Sequence, residues 1–179
     1  MSEIGGSYAQ ALYSLAKEVS AQEQILSELN SLKTAFCEEP AFLRLLSAHS
    51  LSKQERCGVI DNSFRERVHP YLLNFLKLLT EKGYARYFGD CVKAYTQLYN
   101  DEHGIVRVCA VTAVPLSRQQ EERLRLKLEK VTGKTVQLDT SVDAACLGGV
   151  RLDYDGKRVD GTVKNRLDSI SALLKNTVL

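Results

Sequence analysis

The chain has 179 residues, of which 44% are hydrophobic and 26% are charged, an ordinary globular composition for one large or two small domains. Its 24 basic and 22 acidic residues give a formal net charge of +2 and are well mixed. This argues against a dedicated binder of nucleic acid or anionic membrane, which clusters one sign of charge on a face. The richest apolar run, YLLNFLKLL, is interrupted by Asn74 and Lys77 and is far shorter than the roughly 20 apolar residues of a bilayer span. We therefore expect a soluble chain whose partners are proteins.

The N-terminus, MSEIGGSYAQALYSLAKEVSAQ, has no basic n-region, no continuous apolar core and no small-residue cleavage pattern, so we expect neither export nor organelle import. The chain has five cysteines, widely spaced and without a CxxC pair. They are Cys37, Cys57, Cys91, Cys109 and Cys146. An odd number in this arrangement favours reduced, mostly buried thiols in a cytoplasmic protein.

Valine divides the chain into two halves: residues 1 to 104 contain four valines and residues 105 to 179 contain eleven. Because β-branched residues fit pleated sheets better than helices, this shift predicts a helical first half and a mixed second half. We expect an α+β protein of two domains, with an N-terminal six-helix bundle over residues 1 to 104 and a small C-terminal α/β domain over residues 105 to 179.

Apolar spacing predicts the first two helices. Their stripes are Ile4, Tyr8, Ala11, Leu12, Leu15 and Val19, followed by Ile25, Leu29, Leu32 and Phe36. Pro40 lies near the start of a short third helix through Leu46. A capping box of Ser52 and Glu55 opens the fourth.

The fifth helix follows His69-Pro70, and its sequence YLLNFLKLLTEKG is apolar nearly all round, as in a helix buried at the centre of a bundle. Gly83 ends it. A stripe from Tyr84 through Phe88 to Leu98 predicts the sixth helix, which ends between Asn100 and Gly104.

The second half begins with a strand, IVRVCAVTAV. We interpret the next segment, PLSRQQEERLRLKLEKVTG, as a helix, because Ser117 and Gln120 form a capping box and Gly133 supplies a stop. Its run RLRLKLEK holds four basic residues, but Glu121 and Glu122 flank it and Glu129 interrupts it, so a solvated helix face is the better explanation.

Three further strands and one tight turn precede a closing helix. TVQLDTSV and VRLDY are strands, Asp155-Gly156 is a tight turn, and RVD returns as a short strand. We expect Asp160 to be the N-cap of the closing helix, whose apolar side is formed by Val163, Leu167, Ile170 and Leu174.

Signatures of catalysis and cofactor binding are missing from this sequence. It has no GxxxxGK[ST] loop, no GxGxxG, no GxSxG and no HExxH, so we expect no nucleotide, cofactor or metal and no catalytic residue. DYDGKRVDG does not meet the acidic spacing of a calcium loop and alternates as a hairpin does.

Three segments together carry a family resemblance. They are YAQALYSLA near the start, FLKLLTEKG in the fifth helix and LGGVRLDYDGKRVDGTVKNRLDSI near the end. On these motifs the chain resembles, over its whole length, the delta subunit of the bacterial F-type ATP synthase, the relative of the mitochondrial oligomycin sensitivity conferral protein. The sequence departs from the family's pattern after Gly83, where Tyr84 stands in place of a frequent arginine and Arg86 follows two positions later. Cys146 stands where an aliphatic residue is expected in the strand before the glycines.

The resemblance implies a non-catalytic connector in the peripheral stalk, which links the alpha subunit of the catalytic head to the b subunits so that rotation is coupled to ATP synthesis. It places the protein on the cytoplasmic side of the cell membrane, reached only through the complex, with no nucleic acid as partner. It also implies that the N-terminal helix of an alpha subunit binds along the first and fifth helices, and that the C-terminal region of the b subunits meets the C-terminal domain. Carried onto this chain, the alpha-binding residues are Tyr8, Ala11, Leu15, Asn74 and Leu78.

Within the C-terminal motif the resemblance points to structural roles. Gly148 and Gly149 mark a close approach of backbones or a conformation that other residues avoid. Asp160 and Gly161 set the corner between strand and helix, and Lys164 and Arg166 lie on the polar side of the last helix. For each of these residues, service within the domain is the alternative to partner binding.

Two other functions remain open at this point. A small enzyme with a cysteine nucleophile would need an exposed thiol of depressed pKa. A freestanding helical adaptor unrelated to the synthase would show no preference for an alpha peptide.

Overall fold

A computed structural model describes residues 2–47, 51–154 and 156–167. The chain divides into two compact units, Met1–Tyr99 and Asn100–Leu179. Helices dominate the first unit and a mixed sheet dominates the second, so the predicted α+β class is confirmed. The domain boundary between residues 104 and 105 stays a prediction.

Within residues 2–47 and 51–104, six α-helices precede the sheet. They are α1 (Glu3–Glu18), α2 (Gln22–Glu38), α3 (Pro40–Leu46), α4 (Lys53–Phe64), α5 (Pro70–Glu81) and α6 (Phe88–Glu102). The sixth begins later than its predicted stripe, because Ala85–Tyr87 forms a separate turn of 3₁₀ helix. Tyr84 therefore lies before α6 and not on it.

Local chemistry explains where these helices begin and end. Ser2 caps α1 by accepting a hydrogen bond from the Gly5 amide at 3.1 Å. The predicted capping box of α4 is present, with Ser52 and Glu55 each bonded to the other's backbone N–H. After α5, Gly83 takes a φ of +74° and the Tyr84 amide donates to the Leu79 carbonyl at 2.7 Å, which is a Schellman C-cap.

The core of the first unit draws buried side chains from all six helices. Among its fully enclosed members are Ile25 and Leu29 of α2, Leu72 of α5 and Tyr95 of α6. The Tyr95 hydroxyl donates to the Gln22 carbonyl at 3.1 Å. That bond satisfies the polar end of a large buried ring, as burial requires.

The second unit contains a four-stranded sheet in the order β2-β1-β3-β4. Its strands are β1 (Ile105–Thr112), β2 (Thr135–Val142), β3 (Val150–Tyr154) and β4 (Lys157–Asp160). β1 pairs with β2 in parallel and with β3 antiparallel. The central position of β1 agrees with the burial of Val108 and Ala110.

Helix α7 (Arg118–Thr132) connects the two parallel strands. The predicted capping box of Ser117 and Gln120 is present, and Gly133 ends the helix with a φ of +66°. The helical interpretation of this segment is therefore confirmed. Leu128 packs with Val106, Val108 and Val136 to form the core beneath α7.

One expectation about the C-terminal motif is wrong, and others fall on residues that the structure does not describe. Cys146 is buried as expected of a small hydrophobe, but it belongs to a 3₁₀ turn, Ala144–Cys146, and not to a strand. The Asp143 carboxylate accepts from the Ala145 amide at 3.0 Å, which favours a turn over a strand there. Residues 163–167 are helical, whereas Asp155, Ile170 and Leu174 lie outside the described residues.

Candidate functional site

An apolar groove of about 300 Å³ lies between α1 and α5. Its lining is Tyr8, Ala11, Leu12, Leu15, Tyr71, Asn74, Phe75 and Leu78. On each helix these residues stand at positions i, i+3, i+4 and i+7. That spacing forms one stripe along a helix surface, so two matching stripes face each other across the groove.

The two stripes run from a buried floor to an exposed rim. Leu12 and Phe75 are 3% and 6% exposed and belong to the core. Leu15 and Leu78 remain 43% and 42% exposed. Single exposed leucines are common on protein surfaces, but two that line one concave apolar surface are typical of a binding groove.

The structure brings all five residues of the predicted alpha-binding set, Tyr8, Ala11, Leu15, Asn74 and Leu78, into this groove. The Asn74 side chain is exposed, which explains how an amide is tolerated in an otherwise apolar helix.

Three groove residues were not predicted: Leu12, Tyr71 and Phe75. The signal that could have found them is the shared i, i+3, i+4, i+7 spacing. It places Leu12 on the same stripe of α1 as Tyr8, and Tyr71 and Phe75 on the same stripe of α5 as Asn74.

Tyr84, which stands where the resemblance implies an arginine, contacts the groove residue Tyr8. Its ring meets the Tyr8 ring edge to face, with centroids 5.9 Å apart, and meets the Tyr87 ring at 6.0 Å. Arg86 is exposed and lies over the Tyr87 ring at 4.8 Å. Because edge-to-face pairs favour a defined orientation, Tyr84 helps to hold the Tyr8 side chain in place.

Two polar contacts join α4 to α5. Lys77 pairs with Asp61 at 2.6 Å, and the Cys57 thiol donates to the Glu81 carboxylate at 3.8 Å. Burial and the nearby Glu81 charge raise the pKa of the Cys57 thiol. Burial raises the pKa of Cys91 to about 11. Neither thiol has the depressed pKa of a nucleophile.

The paired glycines of the C-terminal motif lie against the strand-to-helix corner. Gly149 has a φ of +80°, and a Cβ placed there would lie 2.5 Å from the Gly161 carbonyl oxygen. A Cβ on Gly161 would lie 3.1 Å from the Val150 carbonyl oxygen. Gly148 is less restricted, since its Cβ would meet only a Val163 methyl at 3.3 Å. The expected close approach is therefore strongest at Gly149.

The sequence predicts Asp160 as the N-cap of the closing helix, and this prediction is wrong. The N-cap is Thr162. The Thr162 hydroxyl accepts from the Asn165 amide at 3.2 Å. Asp160 instead accepts from the Thr162 hydroxyl at 2.6 Å and from its amide at 2.9 Å. These bonds lower the pKa of the Asp160 carboxyl. Arg166 is exposed one turn later, and its amide donates to the Thr162 carbonyl at 3.3 Å.

Helices with an open apolar groove, followed by a small mixed sheet, define an α+β protein of two units. The sequence model of the ATP synthase delta (OSCP) subunit family matches residues 4–174. The chain belongs to this family.

Relatives from several bacteria support the assignment over nearly the whole length. ATP synthase subunit delta of Alkaliphilus oremlandii is 35% identical, and the match covers 96% of each chain. The subunits delta of Clostridioides difficile and Lacticaseibacillus casei are 30% and 32% identical, with coverage of 98% and 93% of this chain and of 97% and 92% of theirs.

A solved structure shows the same fold. A chain in the cryo-EM structure of the Toxoplasma gondii mitochondrial ATP synthase hexamer superimposes with a TM-score of 0.75, covering 97% of this chain and 98% of that one. At 20% identity this likeness concerns the fold alone.

The protein is a non-catalytic subunit of the peripheral stalk of an F-type ATP synthase. Family membership removes the unrelated adaptor and the cysteine-dependent enzyme as alternatives. Among the described residues, no helix combines the length and the apolar character needed to cross a membrane.

Proposed function

We propose that this chain ties the catalytic head of the synthase to its stator, with the helical unit acting as a six-helix bundle that receives the N-terminal helix of an alpha subunit. The observation that carries the proposal is the groove between α1 and α5, which unites the five residues that the family resemblance implied. Two facing stripes at i, i+3, i+4 and i+7 suit helix-in-groove recognition, in which apolar anchors of an amphipathic helix enter a hydrophobic groove.

The length of the stripes sets the size of the partner's contact. Seven residues of an α-helix extend about 10 Å, so each stripe is two turns long. A partner helix fits with anchors about one turn apart, because its own apolar side repeats with the same period. Full burial of a leucine side chain contributes about 1.5–3 kcal/mol to the free energy of association. Leu15 and Leu78 are still 43% and 42% exposed, so a partner helix could bury part of each.

Asn74 gives the groove a polar contact among apolar ones. Its amide has donors and an acceptor and is open to water in the unbound chain. Once a partner helix covers it, a hydrogen bond to that helix must replace the water, since an unpaired buried amide is costly. Asn74 therefore favours partner helices that offer a polar group at the matching position.

The second unit completes the connection by meeting the C-terminal region of the b subunits, and the complex lies on the cytoplasmic side of the cell membrane. This part of the proposal draws its support from the family. The chain reaches the membrane only through the other subunits.

Isothermal titration of the full chain with a synthetic peptide of the alpha N-terminal segment, from the same source, tests the groove. Leu78→Asp and Tyr8→Ala should weaken binding at least tenfold, a change of about 1.4 kcal/mol. Leu45→Asp is the matched control, because Leu45 is 40% exposed on α3 and lies outside the groove lining. It should change the affinity less than about threefold.

Two results would contradict the proposal. One is an absence of binding by the folded wild-type protein, and the other is an equal loss in the Leu45 and Leu78 variants. Circular dichroism of each variant establishes that it folds.

A further inference from the structure

We infer that the basic side of α7 binds an acidic amphipathic helix of another stator subunit. The inference rests on the proposed function, which assigns the second unit to the stator, and it adds a surface and a partner chemistry. The observation behind it is a groove of about 530 Å³ along α7. Its apolar floor is Leu116, Leu124 and Val150, and its cationic rim is Arg123, Lys127 and Lys130.

Helix α7 covers the sheet without burying any of its own residues completely. Leu128 faces the core of the second unit, whereas Leu126 is 45% exposed and lines the groove. A helix of 15 residues with apolar side chains still open has room for a further packing partner.

The charges of α7 are divided between two stripes. On one stripe Arg125 binds Glu122 at 2.6 Å and Glu129 at 2.8 Å, while Glu121 accepts from the Thr140 hydroxyl at 3.1 Å. These groups already have partners within the second unit, so this stripe has little to offer to a binding partner.

The second stripe consists of Arg123, Lys127 and Lys130, at positions i, i+4 and i+7. None of the three forms an ion pair with any residue that the structure describes. The acidic residues that interrupt this segment in the sequence therefore do not neutralise the basic stripe in space. The stripe extends about 10 Å, the length of two turns of a partner helix.

This arrangement selects the class of partner. Three unpaired cations beside the groove favour acidic side chains, and the floor of two leucines and a valine favours apolar anchors between them. A phosphate backbone would satisfy the cations but not the floor, so a helix with leucines on one face and carboxylates at its margins fits better than a nucleic acid. The C-terminal residues 168–179, with one aspartate and one lysine, do not match the charge of the rim.

The test uses the full chain and two fluorescent synthetic peptides of about 18 residues, or about five helical turns. Both carry leucines at i, i+3, i+4 and i+7. One carries glutamates at the flanking positions and the other carries lysines. Fluorescence anisotropy should detect binding of the glutamate peptide and at least tenfold weaker binding of the lysine peptide.

Charge reversal on the rim gives the decisive comparison. The double variant Lys127→Glu, Lys130→Glu should lose at least tenfold in affinity for the glutamate peptide and gain affinity for the lysine peptide. The control Arg118→Glu, Lys134→Glu changes the net charge equally at exposed positions outside the groove and should change either affinity less than about threefold. Leu126→Asn should also weaken binding, because it removes an apolar contact and no charge.

Three results would overturn the inference: equal binding of the two peptides, equal effects of the two double variants, or binding to phosphatidylglycerol vesicles without binding to the glutamate peptide. A final arm uses the soluble part of the b subunits from the same source. The inference is supported if b binds the wild-type chain and this binding is lost in the Lys127→Glu, Lys130→Glu variant. If b binds both proteins equally, the assignment to the stator helix is overturned.

Failure of the proposed function gives a different pattern. If b does not bind even the wild-type chain while the glutamate peptide does, the stator assignment fails and the partner chemistry stands. Binding of the alpha peptide to the first unit should be unchanged in every α7 variant, which provides an independent control for folding.

Discussion

Two neighbouring glycines near the start of α1 have different surroundings. A Cβ on Gly5 would lie 2.9 Å from the Asp90 Cβ and 3.3 Å from the Asp90 carbonyl carbon, whereas a Cβ on Gly6 would meet nothing within 4 Å. The backbone of α1 therefore approaches α6 at Gly5, next to the bond from the Ser2 amide to the Asp90 carboxylate at 3.2 Å.

The two alanine substitutions should have opposite effects on stability. Gly6→Ala should raise the free energy of unfolding by about 0.5–1 kcal/mol, because alanine loses less conformational freedom in a helix. Gly5→Ala should lower it by about 1–3 kcal/mol, the usual cost of overpacking. Urea unfolding followed by circular dichroism measures both. A stabilising Gly5→Ala would mean that α1 does not approach α6 as closely as described.

Alanine substitutions at Gly149 and Gly133 distinguish the cost of backbone strain from the cost of a steric clash. Gly149→Ala combines a positive φ with a 2.5 Å approach to the Gly161 carbonyl oxygen, so it should destabilise by about 2–5 kcal/mol. Gly133→Ala has a similar φ but open space around it, so about 1–2 kcal/mol is expected. Urea midpoints of the two variants provide the comparison, and equal losses would contradict the close approach at Gly149.

Among the helices, α4 and α7 begin with the same capping arrangement but with different chemistry. The box of α4 uses a carboxylate, Glu55, and the box of α7 uses an amide, Gln120. Hydrogen bonds from the Ser52 backbone and side chain lower the pKa of Glu55. Of these two capping boxes, only that of α4 therefore depends on pH.

Comparison of Glu55→Gln with the wild type should reveal that dependence. Because the pKa is lower in the folded chain than in the unfolded chain, the carboxylate contributes stability above its unfolded value of about 4.3. That contribution is lost as pH falls through the folded value. The free energy difference between the two proteins, measured by urea unfolding between pH 3 and 7, should shrink on acidification. A difference independent of pH would contradict the capping role of the carboxylate.

The elements themselves were largely predictable from the sequence, and the exceptions have local causes. Caps and stops such as Ser52, Ser117, Gly83 and Gly133 act on the adjacent backbone, so their patterns predict helix ends. Asp160 is predicted as the N-cap in place of Thr162 because both side chains can accept backbone N–H bonds. The conformation of the corner decides which one caps the helix. At Cys146 the burial was foreseen, whereas the turn, which depends on the Asp143 carboxylate, was not.

At the scale of the whole molecule, the two units have separate cores. The first cluster extends from Ala9 to Tyr95 and the second contains Val106, Val108 and Val136. Every residue that lines the α1–α5 groove lies within the first unit. The lining of this groove is therefore supplied by the first unit among the residues that the structure describes.

A fragment of residues 1 to 104 should keep the full affinity for the alpha N-terminal peptide, within about threefold of the intact chain. The reason is that the groove and the core beneath it are complete in the fragment. Isothermal titration of the fragment and the intact chain is the measurement, with Leu78→Asp in both as the control. Loss of binding by a folded fragment would mean that the second unit contributes to the site.

The sequence by itself determined the class of fold and the positions of most helices and strands, because β-branched composition, caps, glycine stops and apolar periodicity act over a few residues. The resemblance carried by its three motifs implied the family and five members of the groove. Only the tertiary structure decided that β1 is central in the sheet and that the stripes of α1 and α5 face each other. It also decided that Arg123, Lys127 and Lys130 form no ion pair with the acids of α7. The first two features depend on neighbours that are remote in the sequence. The third depends on the direction in which side chains point around a helix, and the order of charges along the chain does not specify that direction.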